Sequence, residues 1–486
     1  MAAMVERNGI MQHLNGIRKA IACAASAPAA LAVVAAAVLA AGIGSVRGED
    51  ASGALDFSGV GWVQYGQVGK SSDTIPNDYN GNPMQNSGAQ ISVNARINDK
   101  LSGAVGLGVY EGHALAGQIA SGGRVAVSAS PYIAAANFTY RLGGEAAPVL
   151  QVRGGLFHYN YDANAKDLGL YLLRGSVYPG FLMSGFETAD VVPLANVLGL
   201  WARNTTGAFT SDLVVNCETE LKPYFDLSVA YIGRAKLSDA FSIGAGVNFY
   251  RLIPSDAKTS HDPFDPVVEK TDAEAKNPFQ REFIYVDTVA AAHDAVPAVV
   301  DTTFFGFDGT KLMADFEFDP KPLFGSPGSL GPDDLKFYGE AAVMGLNFDK
   351  AHKAIYGGLA NRMPIMGGFN FPAFGYLDHL SLEVEWYGAK FRDDTWRMQP
   401  EIDRPESPIP FVRPEEDPLH PKVYSRDNVK WALHAAKTIQ GHFKISGQVA
   451  NDHFRPYGIS GANPTYEVAT STPKDWYWMA KIAYFF

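Results

Sequence analysis

The chain has 486 residues, 47% of them hydrophobic, with 40 Lys and Arg against 51 Asp and Glu for a formal net charge of −11. A chain this acidic is a poor partner for nucleic acid, and after residue 48 no apolar run is long enough for a membrane helix. Beyond the N-terminal region only Cys217 remains, so no intramolecular disulfide can form, and alternation places that thiol with Leu213 and Val215 as a small apolar side chain.

At the N-terminus, Arg18-Lys19 precede an Ala/Val/Leu-rich stretch over 21–43, then Val46-Arg47-Gly48 and Glu49-Asp50. A basic start, an apolar middle and small residues at its end read as a secretory signal over 1–48, with cleavage expected after Gly48 and Ala41 or Gly44 as alternatives. Cys23 opens the apolar stretch, whereas a lipoprotein cysteine would close it, so no lipid anchor is expected. The mature chain, 49–486, shows no linker and is expected to be one domain.

From residue 55 onward the chain alternates. Ile91, Val93, Ala95 and Ile97 oppose Ser92, Asn94 and Arg96; Leu312, Ala314, Phe316 and Phe318 oppose Lys311, Met313, Asp315 and Glu317. Leu382, Val384 and Trp386 oppose Glu383 and Glu385, and Trp431, Leu433 and Ala435 oppose Lys430 and His434. Side chains two apart share a face of a strand, so each segment has one face fit for lipid and one fit for water. Strands are expected near 55–68, 88–98, 101–113, 130–142, 148–160, 177–187, 195–204, 210–220, 226–235, 240–252, 304–308, 311–319, 334–347, 358–371, 380–391, 428–438, 441–453 and 475–486. The shortest, 304–308, cannot span a bilayer, and Pro364 with Gly367-Gly368 interrupts 358–371.

Connections alternate in length. Asn98-Asp99-Lys100, Lys236-Leu237-Ser238-Asp239 and Ile439-Gln440-Gly441 read as tight turns, while 71–87, 253–303 and 393–427 are long and polar or Pro-rich. The acid of 253–303 (Asp256, Asp262, Asp265, Glu269 among others) reads as a solvated loop; bridging cations are the alternative, but no twelve-residue calcium loop occurs, so no metal site is expected. In 162–180, Leu168, Tyr171 and Leu172 fall at helical spacing before Gly175 and Pro179-Gly180 stop it. That short helix reads either as a cap on a barrel rim or as a constriction element folded into a lumen, with Lys166 and Arg174 facing acidic residues across it.

The last segment, Trp476-Tyr477-Trp478-Met479-Ala480-Lys481-Ile482-Ala483-Tyr484-Phe485-Phe486, sets Trp476, Trp478, Ala480, Ile482, Tyr484 and Phe486 on one face. Rings at both ends with aliphatic residues between them suit a strand crossing a bilayer. It resembles the final strand of Gram-negative outer-membrane β-barrel proteins of the porin type, in which a terminal Phe belongs to the signal read by the insertion machinery; no subfamily is matched.

The resemblance implies an all-β fold, a transmembrane antiparallel barrel of about 16 to 18 strands with long extracellular loops and short periplasmic turns. It implies an outer-membrane location, surrounded by lipid and lipopolysaccharide, with Phe486 engaging the insertion machinery and the chain acting as a homotrimer or a monomer. The function read is a passive channel for small hydrophilic solutes, since about 16 strands enclose an aqueous lumen whereas about 8 fill with side chains. A ligand-specific transporter, or a surface adhesin whose loops bind a partner or polysaccharide, is the alternative.

Candidate pore-lining residues are Arg96, Arg153, Lys336, Glu340, Glu383, Glu385, Lys430, His434, Lys444 and Lys481. The excess of carboxylates suggests a mild cation preference, and an inward change such as Glu383→Gln is expected to be tolerated. No enzyme is expected: Gly-x-Ser-x-Gly, His-Glu-x-x-His and phosphate-cradling Gly-rich loops are missing, and Asn451-Asp452-His453 sits at a strand end where a polar rim explains it. No cofactor is expected.

Overall fold

In the computed structural model the described residues are 54–70, 83–113, 128–143, 148–174, 196–219, 225–253, 282–290, 299–306, 309–325, 328–346, 359–386, 429–452 and 473–486. The expected signal segment, the expected strand at 177–187 and the connection 393–427 lie outside them.

The strands are β1 Ala54–Lys70, β2 Pro83–Arg96, β3 Leu101–His113, β4 Ser128–Gly143, β5 Pro148–Phe157, β6 Val197–Thr206, β7 Phe209–Cys217, β8 Leu227–Lys236 and β9 Phe241–Ile253. They continue with β10 Glu282–Ala290, β11 Val299–Gly306, β12 Gly309–Phe318, β13 Phe337–Val343, β14 Ile365–Asn370, β15 His379–Trp386, β16 Val429–Ile439, β17 Phe443–Ala450 and β18 Trp476–Phe485. All but β10 and β11 form one closed antiparallel barrel of 16 strands, in which each strand pairs with its neighbour in the chain and β9 pairs with β12. The two remaining strands pair only with each other, so 253–303, expected to be a loop throughout, contains most of an antiparallel ribbon, and the short strand expected at 304–308 is the end of β11. The expected strand at 358–371 shrinks to β14, which starts directly after Pro364, a residue with no amide to give the ladder.

Closure runs to the last residue. Val60 stands opposite Phe485 and Gln64 opposite Lys481, and Gly59 and Phe486 exchange both backbone hydrogen bonds at 2.9 and 3.0 Å. The Phe486 ring lies on Gly59, where a Cβ would have no room. A barrel thereby leaves no row of unpaired edge amides.

The tight turns form where the sequence places them. Asn98 Oδ1 accepts the amides of Lys100 and Leu101, both at 2.9 Å, between β2 and β3. Gln440 and Gly441 both hold positive φ, 53° and 73°, between β16 and β17. These turns, the β8–β9 turn and Phe486 share one rim; the connections at 71–82, 254–308 and 387–428 leave the opposite one. Asp378, on the connection between β14 and β15 at the short-turn rim, is pushed up by partial burial. The Lys437 ammonium and the Thr438 amide outweigh that and hold the carboxyl below its ordinary range.

The barrel is inside-out relative to a water-soluble domain. Val63, Ile91, Ile133, Val384, Leu433 and Ile482 are exposed, while Lys311, Asp315, Glu340, Glu383, Glu385, Lys430 and His434 are buried. Apolar side chains point outward and ionisable ones inward, with the period-two alternation carried across the sheet.

Candidate functional site

Ten of the site candidates are strand or rim positions, and the structure distributes them unevenly. Glu340 on β13, Glu383 and Glu385 on β15, Lys430 and His434 on β16 and Lys481 on β18 are buried inward positions. Arg153 on β5 also faces inward and is half-buried: its Nε donates to Thr139 Oγ1 at 3.1 Å, and its guanidinium lies over the rings of Trp201 (5.2 Å) and Phe157 (5.8 Å). Arg96, Lys336 and Lys444 lie at the short-turn end. Arg96 pairs with Asp99 at 3.4 Å, Lys336 pairs with Asp333 at 2.9 Å and Glu317 at 3.8 Å, and Lys444 stands opposite Thr438 and Ala483. Asp333 is held below its ordinary range, because the hydrogen bond and charge of Lys336 outweigh the upward effect of its burial.

What organises the interior is the segment 158–174, which leaves β5 at the long-connection rim and lies inside the barrel. The helix expected there does not form. Gly169 and Leu170 adopt positive φ, 77° and 57°, and only one turn closes, from the Arg174 amide to the Leu170 carbonyl at 3.0 Å. The amides a helix would use internally are spent on barrel carboxylates instead. Glu383 accepts the backbone amides of Lys166 (2.7 Å), Asp167 (2.9 Å) and Leu168 (2.7 Å) and the Tyr338 hydroxyl (2.8 Å). Glu340 accepts the amides of Leu170 (2.6 Å) and Tyr171 (2.9 Å) and the Tyr161 hydroxyl (2.8 Å). Glu385 accepts the Tyr171 hydroxyl at 2.9 Å. Each of these carboxylates thus spends its acceptor capacity on the loop and its neighbouring hydroxyls.

Packing adds to these bonds. Leu168, Leu170, Tyr171 and Leu172 are buried with Ile232, Met313, Tyr338, Ala342, Met344 and Met366. At about 1.5–3 kcal/mol for each fully buried large apolar side chain, this cluster offsets part of the conformational entropy lost in ordering the loop. Gly246 on β9 makes room for it, since a Cβ there would stand 2.5 Å from Leu172 Cδ1. Asn248 Nδ2 then donates to the Leu172 carbonyl at 2.7 Å. Of the two loop cations, Arg174 meets an acid across the lumen, Glu385 at 3.7 Å, and donates to the Asp167 carbonyl at 2.5 Å. Lys166 approaches Glu383 through its backbone amide, and its ammonium donates to the Ala163 carbonyl at 2.6 Å.

Three interior groups were not among the candidates. Arg203 forms a two-pronged pair with Asp212, 2.7 Å on each side, and Tyr159 donates to the same carboxylate at 2.8 Å. Arg234 bridges Asp315 (3.0 Å) and Asp162 (3.5 Å), tying the loop to β8 and β12. Arg251 contacts Glu218 (3.1 Å) and Asp226 (3.5 Å). Alternation marks Asp315 as inward, but the pairings depend on register: Arg203 stands opposite Asp212 only because β6 and β7 pair through the turn at Gly207. Among the described residues no group of His, Cys, Asp and Glu could hold a metal ion.

The interior is not uniformly filled. Inward side chains of β2 to β5, among them Gln90, Ser92, Asn94, Ser102, Arg141, Gln151 and Arg153, are half-buried, whereas Glu340, Ser381, Glu383 and Glu385 opposite them are fully buried. The loop packs on the acidic wall and leaves the Arg-bearing wall accessible.

No family model matches the chain, and no curated protein matches it. Solved structures do: two engineered forms of the Rhodopseudomonas blastica porin superpose with TM-scores of 0.39 and 0.40, each at 8% identity and covering 89% of this chain and 100% of the porin. A structure described as an engineered protein of asymmetric conductivity matches with a TM-score of 0.40 at 7% identity, with the same coverage. The chain's own strand pairing makes it a closed antiparallel barrel of 16 strands.

Proposed function

We propose that this chain is a passive, non-enzymatic channel for small hydrophilic solutes in the outer membrane of a Gram-negative bacterium. The observation that carries the reading is the polarity of the closed barrel, apolar outside and ionisable inside. An outward apolar face on every side is costly in water and favourable in lipid, and closure satisfies every ladder amide within the bilayer. A barrel of 16 strands encloses more volume than its own inward side chains fill. Among the described residues, segment 158–174 takes part of that volume on the β12–β15 side, and the half-buried polar side chains of β2–β5 mark the wall along which a solute would pass. In this reading lipid and lipopolysaccharide surround the barrel, the long connections face outward from the cell, and Phe486 at the opposite rim engages the insertion machinery.

Single-channel recording from the purified protein in planar bilayers tests the proposal. Discrete ohmic steps are expected, together with swelling of proteoliposomes in small sugars. A protein that folds and inserts but gives neither conductance nor swelling would instead favour an adhesin or other closed barrel.

A further inference from the structure

Below the loop, at the short-turn mouth of the barrel, lies a cavity of about 340 Å³. Its inward-facing lining includes Thr210 on β7, Arg234 and Lys236 on β8, Ser242 on β9, Glu317 on β12 and Lys336 just before β13. The architecture that opens it is specific. β9 runs between β8 and β12 and offers inward only the small residues Ser242 and Gly244 at this level, with Arg234 opposite Gly244 on one side and Glu317 opposite Ser242 on the other. A Cβ at Gly244 would stand 2.5 Å from Asp315 Oδ1, so glycine is also what lets the Arg234–Asp315 pair form across β9.

Opposite charges meet across this cavity with capacity left over. Arg234 spends its Nη2 on Asp315 and Asp162, and the part of the guanidinium that lines the cavity makes no further ion pair with the described residues. Among the described residues the ion-pair contact of Glu317 is Lys336 Nζ at 3.8 Å, which is beyond hydrogen-bond distance, and Lys336 is committed to Asp333 at 2.9 Å. A guanidinium edge and a carboxylate without a hydrogen bond therefore flank a strand without bulk. A carboxylate placed on the accessible guanidinium edge would gain a charge-assisted hydrogen bond.

We propose that this cavity binds a small zwitterion, an amino acid or short peptide, with its carboxylate on Arg234 and its ammonium on Glu317. This rests on the channel reading and deepens it: the cavity lies at the mouth through which solutes would leave. Its volume is that of a small-ligand pocket, and its charges of both signs disfavour a neutral sugar, which would strip ions of water and return no charge. A simple anion would satisfy Arg234 and leave Glu317 repelling it; a simple cation would do the reverse.

The test is equilibrium binding of radiolabelled glutamine to the detergent-purified full chain, with acetate, methylammonium and glucose as comparison ligands, and single-channel recording in parallel. Glutamine is expected to bind more tightly than any of the three. Glu317→Gln is expected to weaken it at least about tenfold, the equivalent of one lost charge-assisted contact, without changing the affinity for acetate. Because Arg234→Gln also breaks the pairs with Asp162 and Asp315, Ser242→Phe serves as the second variant: it fills the cavity, removes no charged group and is expected to abolish glutamine binding. Glutamine binding no tighter than acetate or glucose, or unchanged in both Glu317→Gln and Ser242→Phe, would overturn the proposal. Conductance without glutamine binding removes this site alone; binding without conductance removes the channel reading alone.

Discussion

Replacing Glu383 by Gln should release the internal loop without unfolding the barrel. Four donors converge on the two carboxylate oxygens, so the group is held as an acceptor on both sides. A glutamine keeps one acceptor oxygen and presents an NH₂ group in place of the other. With that NH₂ at the Oε1 position the Tyr338 hydroxyl can rotate to accept from it, but the Lys166 amide then faces a donor and is left unsatisfied. Leaving one buried amide unpaired costs about 1–3 kcal/mol, and the remaining bonds fall from charge-assisted to neutral strength, about 1 kcal/mol each. The latch should weaken by about 2–4 kcal/mol, which accelerates opening roughly 30- to 700-fold. Hydrogen exchange of the amides at 166–168, read by mass spectrometry in detergent, should speed up within that range while exchange in β15 and β16 stays slow. Single-channel current should become noisier or larger as the loop leaves the lumen. Exchange and current identical to the parent would refute the latch. This reverses the tolerance expected of an inward polar change, because the side chain holds a loop and does not merely face water.

Four other outcomes follow from the same geometry. Val384→Arg or Leu433→Arg, on the outward face, should oppose folding into lipid by about 2–4 kcal/mol near the midplane, measured by urea titration in vesicles; equal cost for Gln151→Arg, at a half-buried inward position, would overturn the assignment of faces. Arg141, bonded to Ser102, and Arg153, bonded to Thr139, have no carboxylate in ion-pair reach among the described residues, so reversal potentials should show anion preference that falls in the Arg141→Gln/Arg153→Gln double variant; cation preference in the parent would favour the reading from net charge instead. The depressed Asp378 carboxyl should stabilise the β14–β15 connection at neutral pH. That contribution should disappear as pH falls through its lowered folded-state value, so Asp378→Asn should flatten the acid limb of the stability profile, by a modest amount given its exposure. Protease added to intact cells should cut within 253–303 or 393–427 before the turns at Asp99 or Gly441, and the opposite order would invert the topology.

The alternating pattern by itself gave most of the strands, the division of each into two faces and the alternation of short and long connections, because period two is a property of the chain and needs no partner. It placed Glu340, Glu383, Glu385, Lys430 and His434 on the polar face without any knowledge of neighbours. The sign of the faces, apolar outward, is decided by the closed barrel, since alternation reads the same in a soluble sandwich. Register and loop conformation belonged to the tertiary structure. Leu168, Tyr171 and Leu172 carry a helical spacing, yet carboxylates on β13 and β15, some 170 to 217 residues away, outbid the local helix for its amides. Likewise Arg234 and Glu317 become neighbours only across Ser242 and Gly244 of β9, a closeness set by which strands pair after the chain leaves the barrel for β10 and β11 and returns. Contacts between residues so far apart are fixed by barrel closure, a global condition that no local window of sequence contains.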